Sequence, residues 1–466
     1  MEIDRTGIVE SIQKKYGDDY RNFKWIGDGA ETAEAERKAI LSSISESLSY
    51  RYNSTKLYYL DISPGCRHCG EGTWSCLFIN GKCNGTCFFC PSEQDTTGNP
   101  VTNAMEFKTT ADYLAYLDRF NIKGVSISGG EPLITIDKSV KYLSAVQKKY
   151  EDKIHKWLYT NAILLTEEKL KKLKDAGLNE IRLNLFAQGY NIEKAILASR
   201  YIETVTVEIP AIPEDYEQLC RLIHKLYDNG IKYLNLHQLR CTAYNFKKFI
   251  EKGYTFLHGP DPTVLESELA ALKAIKHAVD SGIKLPINYC AFVYRNNFQR
   301  IRARQRSAPC MIKPYEELTE TGMIRVLSLN VSPDNAAVII EGLKRNGEDE
   351  SIIHYDPKTQ RLSFGGRALK YIDIKSDVTA TYYDSMLCDA PSYRNMFKSI
   401  HLDSGKKITA ERWRTVQDIE LSYDEFLVFK EKYLNESDRD LSIPDSKKWD
   451  RIKVMELPHE GLQRYW

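Results

Sequence analysis

The stretch Cys83-Asn-Gly-Thr-Cys87-Phe-Phe-Cys90 is the most informative part of this chain. Its three cysteines stand within eight residues, a spacing suited to three irons of a cubane [4Fe–4S] cluster. Such clusters are held by cysteine thiolates, normally four of them. The fourth iron would have no protein ligand from this loop, and an open iron can bind and reduce a small molecule. The spacing therefore predicts chemistry and not only a structural metal.

Overall charge limits the classes of partner that the chain is expected to bind. Its 466 residues include 65 Lys and Arg against 64 Asp and Glu, so the net charge is +1. This balance favours neither nucleic acid nor an anionic membrane as a partner. The sequence has no apolar run of about 18 residues, and Met1-Glu-Ile-Asp-Arg5 lacks the pattern of a signal peptide. We therefore expect a cytoplasmic protein.

Six of the eleven cysteines lie between Cys66 and Cys90. Clustering at one end of a long chain favours metal binding over a disulfide framework, which is typical of short secreted domains. One alternative is a zinc ribbon that pairs Cys66-x2-Cys69 with Cys87-x2-Cys90 across 17 residues. A ribbon leaves Cys76 and Cys83 unexplained, and it predicts nothing about the sequence that follows.

Short β-like runs alternate with amphipathic helices from about residue 93 to 290, which predicts βαβ units and a parallel sheet. The runs are 124–127, 155–159, 180–186, 204–209 and 232–236, with 76–79 as a leading strand. Six βα units predict an α/β fold with an open, partial (β/α)6 barrel. The predicted domains are a helical N-terminal extension (1–62), a Cys-rich auxiliary metal segment with the first strand (63–82), the core (83–309) and a C-terminal α+β domain (310–466).

The sequence Ser128-Gly129-Gly130-Glu131-Pro132 follows the next β-like run after the three-cysteine loop. In parallel α/β barrels, ligands bind at the carboxyl ends of the strands. Paired glycines there allow a ligand to approach the backbone closely. A simple strand-to-helix turn is the alternative, and the position one βα unit after the cysteines favours a ligand site.

Together, CNGTCFFC and GGEP resemble the radical S-adenosylmethionine (SAM) superfamily over roughly residues 74–290. The resemblance implies that Cys83, Cys87 and Cys90 hold [4Fe–4S] and that SAM chelates the open iron. It also implies that Gly129, Gly130 and Glu131, with Pro132, contact the amino end of SAM. Reductive cleavage would give a 5′-deoxyadenosyl radical, and the enzyme would be oxygen-sensitive. More narrowly, the chain resembles proteins described only as related to pyruvate formate-lyase activating enzyme.

Later strand ends supply further candidate contacts to SAM. Thr160-Asn161 resembles a Thr-Asn-Gly element of some members, although Ala162 replaces the glycine here. Arg182 and Asn184 are candidates for the SAM carboxylate or ribose, and Glu208 is a candidate beside adenine. Ordinary polarity at strand ends is the alternative for each.

The remaining clustered cysteines, Cys66, Cys69 and Cys76, are interpreted as a second metal site. An auxiliary [4Fe–4S] cluster is the first choice and zinc the second. A cluster needs a fourth ligand, for which Cys290 and Cys310 are candidates because each lies beside the end of the barrel region. Alternatively, Cys76 is a small buried strand residue.

Several functions stay open at this point. The first is a radical SAM enzyme that modifies a peptide, a protein or a polar metabolite, with ferredoxin or flavodoxin as electron donor. A radical SAM methyltransferase is the alternative; it could use cobalamin, although the Asp-x-His-x-x-Gly motif is absent. From another class, a zinc-stabilised binding module could contact RNA or protein. The arginines between Arg295 and Arg306 could bind phosphate, carboxylate or RNA, or form a solvated helix face.

Overall fold

The computed structural model describes residues 5–415, 418–435 and 443–466. The chain forms two compact units. The N-terminal unit comprises Arg5–Gln299, Leu402–Lys406 and His459–Trp466, and the C-terminal unit comprises Arg300–His401 and Lys407–Pro458. The domain boundaries predicted above stay predictions. None of the described helices is long and apolar enough to cross a membrane.

The N-terminal unit alternates strands and helices along most of its length. Its strands are β1 (Lys24–Trp25), β2 (Leu48–Arg51), β3 (Lys56–Tyr59), β4 (Trp74–Asn80), β5 (Val101–Thr102), β6 (Met105–Glu106), β7 (Gly124–Gly129), β8 (His155–Thr160), β9 (Glu180–Leu183), β10 (Thr204–Pro210), β11 (Tyr233–His237), β12 (Thr255–Leu257), β13 (Thr263–Val264) and β14 (Ile287–Cys290). Its helices are α1 (Arg5–Tyr16), α2 (Ala30–Ser43), α3 (Pro64–Glu71), α4 (Thr110–Arg119), α5 (Ile136–Tyr150), α6 (Glu167–Asp175), α7 (Glu193–Ser199), α8 (Tyr216–Asp228), α9 (Phe246–Ile250) and α10 (Leu265–Asp280). Helix α11 (Phe292–Ser307) follows; its residues up to Gln299 belong to this unit and those from Arg300 to the C-terminal unit.

The main sheet of this unit has the strand order β2-β3-β14-β11-β10-β9-β8-β7-β4-β5-β6. The strands from β4 through β14 in this order pair in parallel, which makes seven parallel strands. The α/β class is confirmed, whereas the predicted count of six omitted β14. That strand has only four residues, and a helix follows almost at once, so it has no clear pattern of its own.

The predicted helical N-terminal extension is only partly helical. It contains α1 and α2, but β2 and β3 form a hairpin whose second strand pairs antiparallel with β14. Every residue of β3 is buried, because the strand lies inside the sheet order and not at its edge. This antiparallel pair occupies the side of the sheet where a closed barrel would continue with parallel strands.

Local sequence explains where the flanking helices begin. The side chains of Thr109 and Thr166 accept hydrogen bonds from the third backbone N–H of α4 and α6, which caps both helices. The strands between them are almost entirely buried, as expected when a parallel sheet is covered on its outer face by helices.

The C-terminal unit is an antiparallel sheet with helices on it. Its strands are β15 (Glu317–Leu318), β16 (Ile324–Asn330), β17 (Ile353–Asp356), β18 (Arg361–Phe364), β19 (Val378–Cys388), β20 (Met396–His401), β21 (Lys407–Arg414) and β22 (Ile419–Leu421), and its helices are α12 (Pro333–Arg345), α13 (Tyr423–Tyr433) and α14 (Lys447–Glu456). The order β17-β18-β16-β19-β21-β20 is antiparallel throughout. Phe426, Phe429 and Trp449 of the helices share one buried core with Leu327 and Phe364 of the sheet.

Candidate functional site

The interior of the main sheet is polar. Alternate residues of its parallel strands point to this interior and contact one another: Trp74 and Cys76 of β4, Ser126 and Ser128 of β7, Trp157 and Tyr159 of β8, Glu180 and Arg182 of β9, Thr206 and Glu208 of β10, Asn235 and His237 of β11, and Asn288 and Cys290 of β14. Closed (β/α)8 barrels instead fill this space mainly with Val, Ile and Leu. We call this space the lumen, and its composition favours chemistry over packing.

The three-cysteine loop leaves the carboxyl end of β4 and is held by main-chain bonds. Gly81 N–H donates to the Thr96 carbonyl (2.8 Å) and Cys83 N–H to the Gln94 carbonyl (3.0 Å). Phe88 and Phe89, between the cysteines, pack edge-to-face on Phe186 with ring centroids 6.0 and 5.0 Å away. The loop is therefore anchored by its apolar residues, which leaves the cysteines free to face the site.

Cys83, Cys87 and Cys90 line one cavity of about 280 Å³. The cavity lies at the carboxyl ends of the strands, where Gly130, Thr160, Pro210 and other residues that end or follow a strand also line it. Cys83 Sγ accepts hydrogen bonds from Gly85 N–H (3.4 Å) and from Asn161 Nδ2 (3.6 Å). The sheet therefore curves around a space that the three sulfurs reach from one side.

The chemistry of these thiols fits a bound metal group. Burial raises the pKa of Cys83, and burial together with the charge of Cys83 raises the pKa of Cys87 to about 11. A coordinating metal deprotonates a thiol outright and so offsets this penalty. Within residues 5–415, 418–435 and 443–466, no three Cys, His, Asp or Glu side chains are placed so that together they could hold a single metal ion. Each thiolate of a cubane binds its own iron, so the three sulfurs need not meet at one point.

Gly129 and Gly130 are required by the close approach of the cysteine loop. A Cβ on Gly129 would lie 2.1 Å from the Asn80 carbonyl oxygen, and Gly129 has a φ of +128°. Gly130 N–H donates to the same carbonyl (2.9 Å), and Glu131 N–H donates to the Lys82 carbonyl (2.7 Å). The two glycines thus join the end of β7 to the start of the loop, and both line the cavity.

Glu131 lies behind this cavity wall with no exposed surface. Its carboxylate accepts hydrogen bonds from Leu133 N–H (2.9 Å), Thr160 Oγ1 (2.8 Å) and Asn161 N–H (2.7 Å). Burial raises its pKa in spite of these bonds. Pro132 is buried beside it. The Glu131 carboxylate therefore ties the end of β8 to β7. Of the residues from Gly129 to Pro132, Gly129 and Gly130 line the cavity, and the contacts of all four with SAM stay predictions.

The other predicted strand-end residues do reach the cavity. Asn161, Arg182, Asn184 and Glu208 all line it. Asn161 Nδ2 donates to Asn84 Oδ1 of the cysteine loop (2.8 Å), and Asn184 uses its side-chain oxygen to accept from Phe186 N–H (3.1 Å). Asn184 is therefore committed partly to its own turn, whereas Asn161 connects β8 with the loop.

Arg182 and Glu208 belong to a buried ion network. Arg182 Nε donates to Glu180 (2.7 Å) and Arg182 Nη1 to Glu208 (2.8 Å), and His237 Nε2 lies 2.6 Å from the other Glu208 oxygen. Burial raises the pKa of Glu208, but the charges of Arg182 and His237 outweigh it and hold that pKa far below its usual range. Burial lowers the pKa of His237, yet Glu208 and Cys290 raise it to about 9.

The residues predicted for a second metal site separate into two groups. Cys66 and Cys69 on α3, Cys76 on β4 and Cys290 on β14 all face the lumen. Cys310 belongs to the C-terminal unit, where its Sγ donates to the Arg306 carbonyl (3.7 Å). Its predicted role as a ligand stays a prediction.

Sequence reasoning did not single out Lys56, His237 or Arg240. His237 and Arg240 follow a predicted strand at 232–236, so the rule applied to the other strand ends would have found them. Lys56 had no such signal, because its segment was predicted to be helical. In the structure it is almost fully buried at 1% exposure, on a strand beside β14.

Comparisons with known proteins identify the family. The profile of the Radical SAM superfamily matches residues 77–239. A protein of Methanocaldococcus jannaschii with the provisional name glycyl-radical enzyme activating enzyme is 33% identical over 305 residues, which cover 63% of this chain and 80% of that protein. A GTP 3′,8-cyclase of Listeria monocytogenes is 30% identical over 131 residues, which cover 28% of this chain and 38% of the cyclase.

Solved structures give weaker likenesses. SuiB of Streptococcus suis bound to S-adenosylmethionine is 14% identical, with 61% of this chain and 62% of that chain covered and a TM-score of 0.34. TsrM of Kitasatospora setae, with cobalamin and a [4Fe-4S] cluster bound, is 14% identical, with 39% and 41% covered and a TM-score of 0.29. Structural likenesses this low carry no argument about this chain. The sequence relatives do, and the chain belongs to the radical SAM superfamily of enzymes.

Proposed function

We propose that this enzyme cleaves SAM reductively at a [4Fe–4S] cluster held by Cys83, Cys87 and Cys90, and then takes a hydrogen atom from a polar, anionic substrate. One observation carries the proposal: the three thiols and the Gly129–Gly130 turn share one cavity at the carboxyl ends of the parallel strands. When bound, the cluster and SAM supply a 5′-deoxyadenosyl radical.

The chain's own residues would bind and orient SAM. Gly129 and Gly130 line the cavity and would contact the amino end of SAM, and Asn161 lines the same cavity. Ile209, Pro210 and Leu239 form an apolar wall further round the cavity. Apolar lining excludes water, which protects a reactive intermediate from side reactions. Arg182 and Glu208 keep their positions through the buried ion network described above.

Two arginines of the cavity favour an anionic substrate. Arg240 Nη1 pairs with Asp261 (3.0 Å), whereas Arg295 forms no ion pair or side-chain hydrogen bond within the described residues. Burial and the charge of Arg295 lower the pKa of Arg240, so the two guanidinium groups repel each other. A carboxylate or phosphate would relieve this repulsion through bidentate hydrogen bonds. A peptide, a protein side chain or a polar metabolite can carry such a group, and ferredoxin or flavodoxin is the proposed electron donor.

Anaerobic SAM cleavage tests the central proposal. Reconstituted full-length protein given dithionite and SAM should form 5′-deoxyadenosine. Cys83→Ala, Cys87→Ala and Cys90→Ala together should abolish that product, and Cys220→Ala in helix α8 is the matched control that should keep it. Wild-type protein that contains only zinc and forms no 5′-deoxyadenosine would contradict the proposal and favour a zinc-stabilised binding module.

Inorganic phosphate serves as a probe for the anionic subsite. We expect phosphate to raise the thermal unfolding midpoint of wild-type protein, and to raise it less in Arg295→Gln. Equal Kd values for SAM in the two proteins would assign the subsite to substrate. A weaker Kd for SAM in Arg295→Gln would assign Arg295 to the carboxylate of SAM and contradict the substrate assignment.

A further inference from the structure

Helix α3 enters the lumen from the amino ends of the strands, opposite the SAM cavity. Gly65 N–H donates to Glu180 Oε2 (2.9 Å), and a Cβ on Gly65 would lie 3.1 Å from the Trp157 ring. A Cβ on Gly124, at the start of β7, would lie 2.9 Å from the His68 side chain. These close contacts place the helix against the strand starts, so that Cys66 and Cys69 lie inside the sheet.

The sulfurs of α3 are surrounded by hydrogen-bond donors. Cys66 Sγ accepts from Asn235 Nδ2 (3.3 Å), Arg182 Nη2 (3.6 Å) and Asn288 Nδ2 (3.8 Å). Cys69 Sγ accepts from Tyr294 Oη (3.5 Å) and Gln299 Nε2 (3.6 Å). Such donors stabilise a thiolate or a metal-bound sulfur, because a sulfur without a proton can only accept hydrogen bonds.

Two strand cysteines complete the group. Cys290 lies two residues after Asn288 on the same face of β14, about 7 Å along the strand, and it pairs in the sheet register with His237 of β11. Cys76, on β4, pairs in the sheet register with Ser126 of β7. Asn288 Nδ2 donates to Cys66 Sγ (3.8 Å) and Tyr294 Oη donates to Cys69 Sγ (3.5 Å), so both sulfurs of α3 lie beside the segment that carries Cys290. The charge of Cys69 also acts on Cys76 across the lumen. Cys69, Cys76 and Cys290 are each only partly buried.

A buried ammonium lies beside this group. Lys56 is 1% exposed, and its Nζ lies 4.3 Å from the centroid of the Tyr294 ring. No Asp or Glu forms an ion pair with it in the part of the chain that the structure describes, and the charges that raise its pKa most are those of the Cys290, Cys66 and Cys69 sulfurs. A buried cation requires a paired negative charge. Negative sulfur ligands around a cluster would supply it.

We propose that Cys66, Cys69, Cys76 and Cys290 hold a second [4Fe–4S] cluster inside the lumen. Four cysteine thiolates are the normal complement of such a cluster, and this set is complete without Cys310. With all four irons bound by protein, this cluster has no open iron for SAM or substrate, and its chemistry is one-electron transfer. The inference does not depend on how SAM is used at the first site.

The ion network connects the proposed cluster with the SAM cavity. Arg182 touches Cys66 through Nη2 and Glu208 through Nη1, and Glu208 lines the cavity. His237 contacts Glu208 and Cys290 and also lines the cavity. The two sites are therefore separated by one layer of polar side chains, a separation that suits electron exchange between them.

Iron analysis of the variant that lacks Cys83, Cys87 and Cys90 tests the second site directly. The full-length Ala variant, reconstituted anaerobically, should hold about four irons and four sulfides per chain. Its reduced electron paramagnetic resonance signal should not change when SAM is added, because no iron is open. Adding Cys76→Ser or Cys290→Ser should remove or alter that signal, and adding Cys220→Ser should not.

Three outcomes would overturn the inference. In the first, the Ala variant is folded by circular dichroism but holds no iron. In the second, it holds zinc in place of iron. In the third, adding SAM changes its electron paramagnetic resonance signal. If Cys290→Ser prevents folding in that background, the same change in wild-type protein must lower iron by about four per chain. Wild-type protein that cleaves SAM with only four irons would refute the second cluster alone. If the Ala variant holds four irons but wild-type protein does not cleave SAM, only the proposed SAM cleavage would be refuted.

Discussion

Replacing Gly130 by alanine tests whether the glycine turn positions the cysteine loop. The new Cβ would lie 2.2 Å from the Lys82 carbonyl oxygen and 2.7 Å from that of Gly81. Cβ atoms essentially never come within 3.0 Å of another heavy atom, so the turn and the loop must separate by about 0.8 Å. The obstructing atoms are main chain on both sides, so no side-chain rotation relieves the clash.

The displacement falls on the residues that lead into Cys83. A misplacement of about 1 Å in a catalytic arrangement can lower a rate about 100-fold. We expect Gly130→Ala to form 5′-deoxyadenosine about 100 times more slowly than wild-type protein, measured anaerobically with dithionite and saturating SAM. The proposed second cluster should be unaffected, so iron content should not fall below about four per chain.

Gly98→Ala is the matched control because Gly98 lies in the connection between β4 and β5, which also contains Lys82 and the cysteine loop. A Cβ at Gly98 would meet nothing within 4 Å. We expect this variant to cleave SAM at the wild-type rate. Equal rates for Gly130→Ala and wild-type protein would show that the contact with Lys82 does not position the loop, and the reasoning above would be refuted.

Two further predictions concern buried carboxylates. Burial raises the pKa of Glu180, but Arg182 and His155 outweigh this effect and lower the pKa to about 2. Compared with an ordinary pKa near 4.5, this shift contributes about 3 kcal/mol to the free energy of unfolding. This stabilisation is present above about pH 4.5 and is lost as the pH falls toward 2. The Glu180→Gln apoprotein should therefore lose less stability with falling pH than wild-type apoprotein, as followed by tryptophan fluorescence. Acid-unfolding curves of the two proteins that run parallel would contradict this prediction. Glu131→Gln should place an amide NH2 group against at least one N–H or O–H donor and lower the free energy of unfolding by about 1–3 kcal/mol. This loss should appear as a lower thermal unfolding midpoint. The control Glu193→Gln changes an exposed residue and should leave the midpoint unchanged.

The predicted site depended mostly on local spacing, and this explains which parts of it could be found in advance. Cys83, Cys87 and Cys90 share one loop, and Gly129 and Gly130 end the adjacent strand, so short-range patterns were sufficient to place them together. Glu131 was harder, because its role depends on Thr160 and Asn161 at the end of the next strand. No local pattern distinguishes a carboxylate that faces a ligand from one that faces its own backbone.

The number of parallel strands was also only partly predictable. Runs such as 204–209 are long enough for their β-like character to be evident, whereas the four residues of β14 are not. The position of β3 was missed for a different reason. Its pairing with β14 joins segments more than 200 residues apart, and such pairing depends on sheet order and not on local propensity.

The sequence by itself determined the chemical class of this protein. Three cysteines at short spacing, followed by paired glycines after a strand, identify a radical SAM enzyme, because both motifs act within a few residues of the chain. Only the tertiary structure placed helix α3, with Cys66 and Cys69, beside Asn288 and Tyr294, and buried Lys56 against the Tyr294 ring. The physical reason is that curvature and register of the parallel sheet bring distant strands around one lumen, and neither property is encoded in any short stretch of residues.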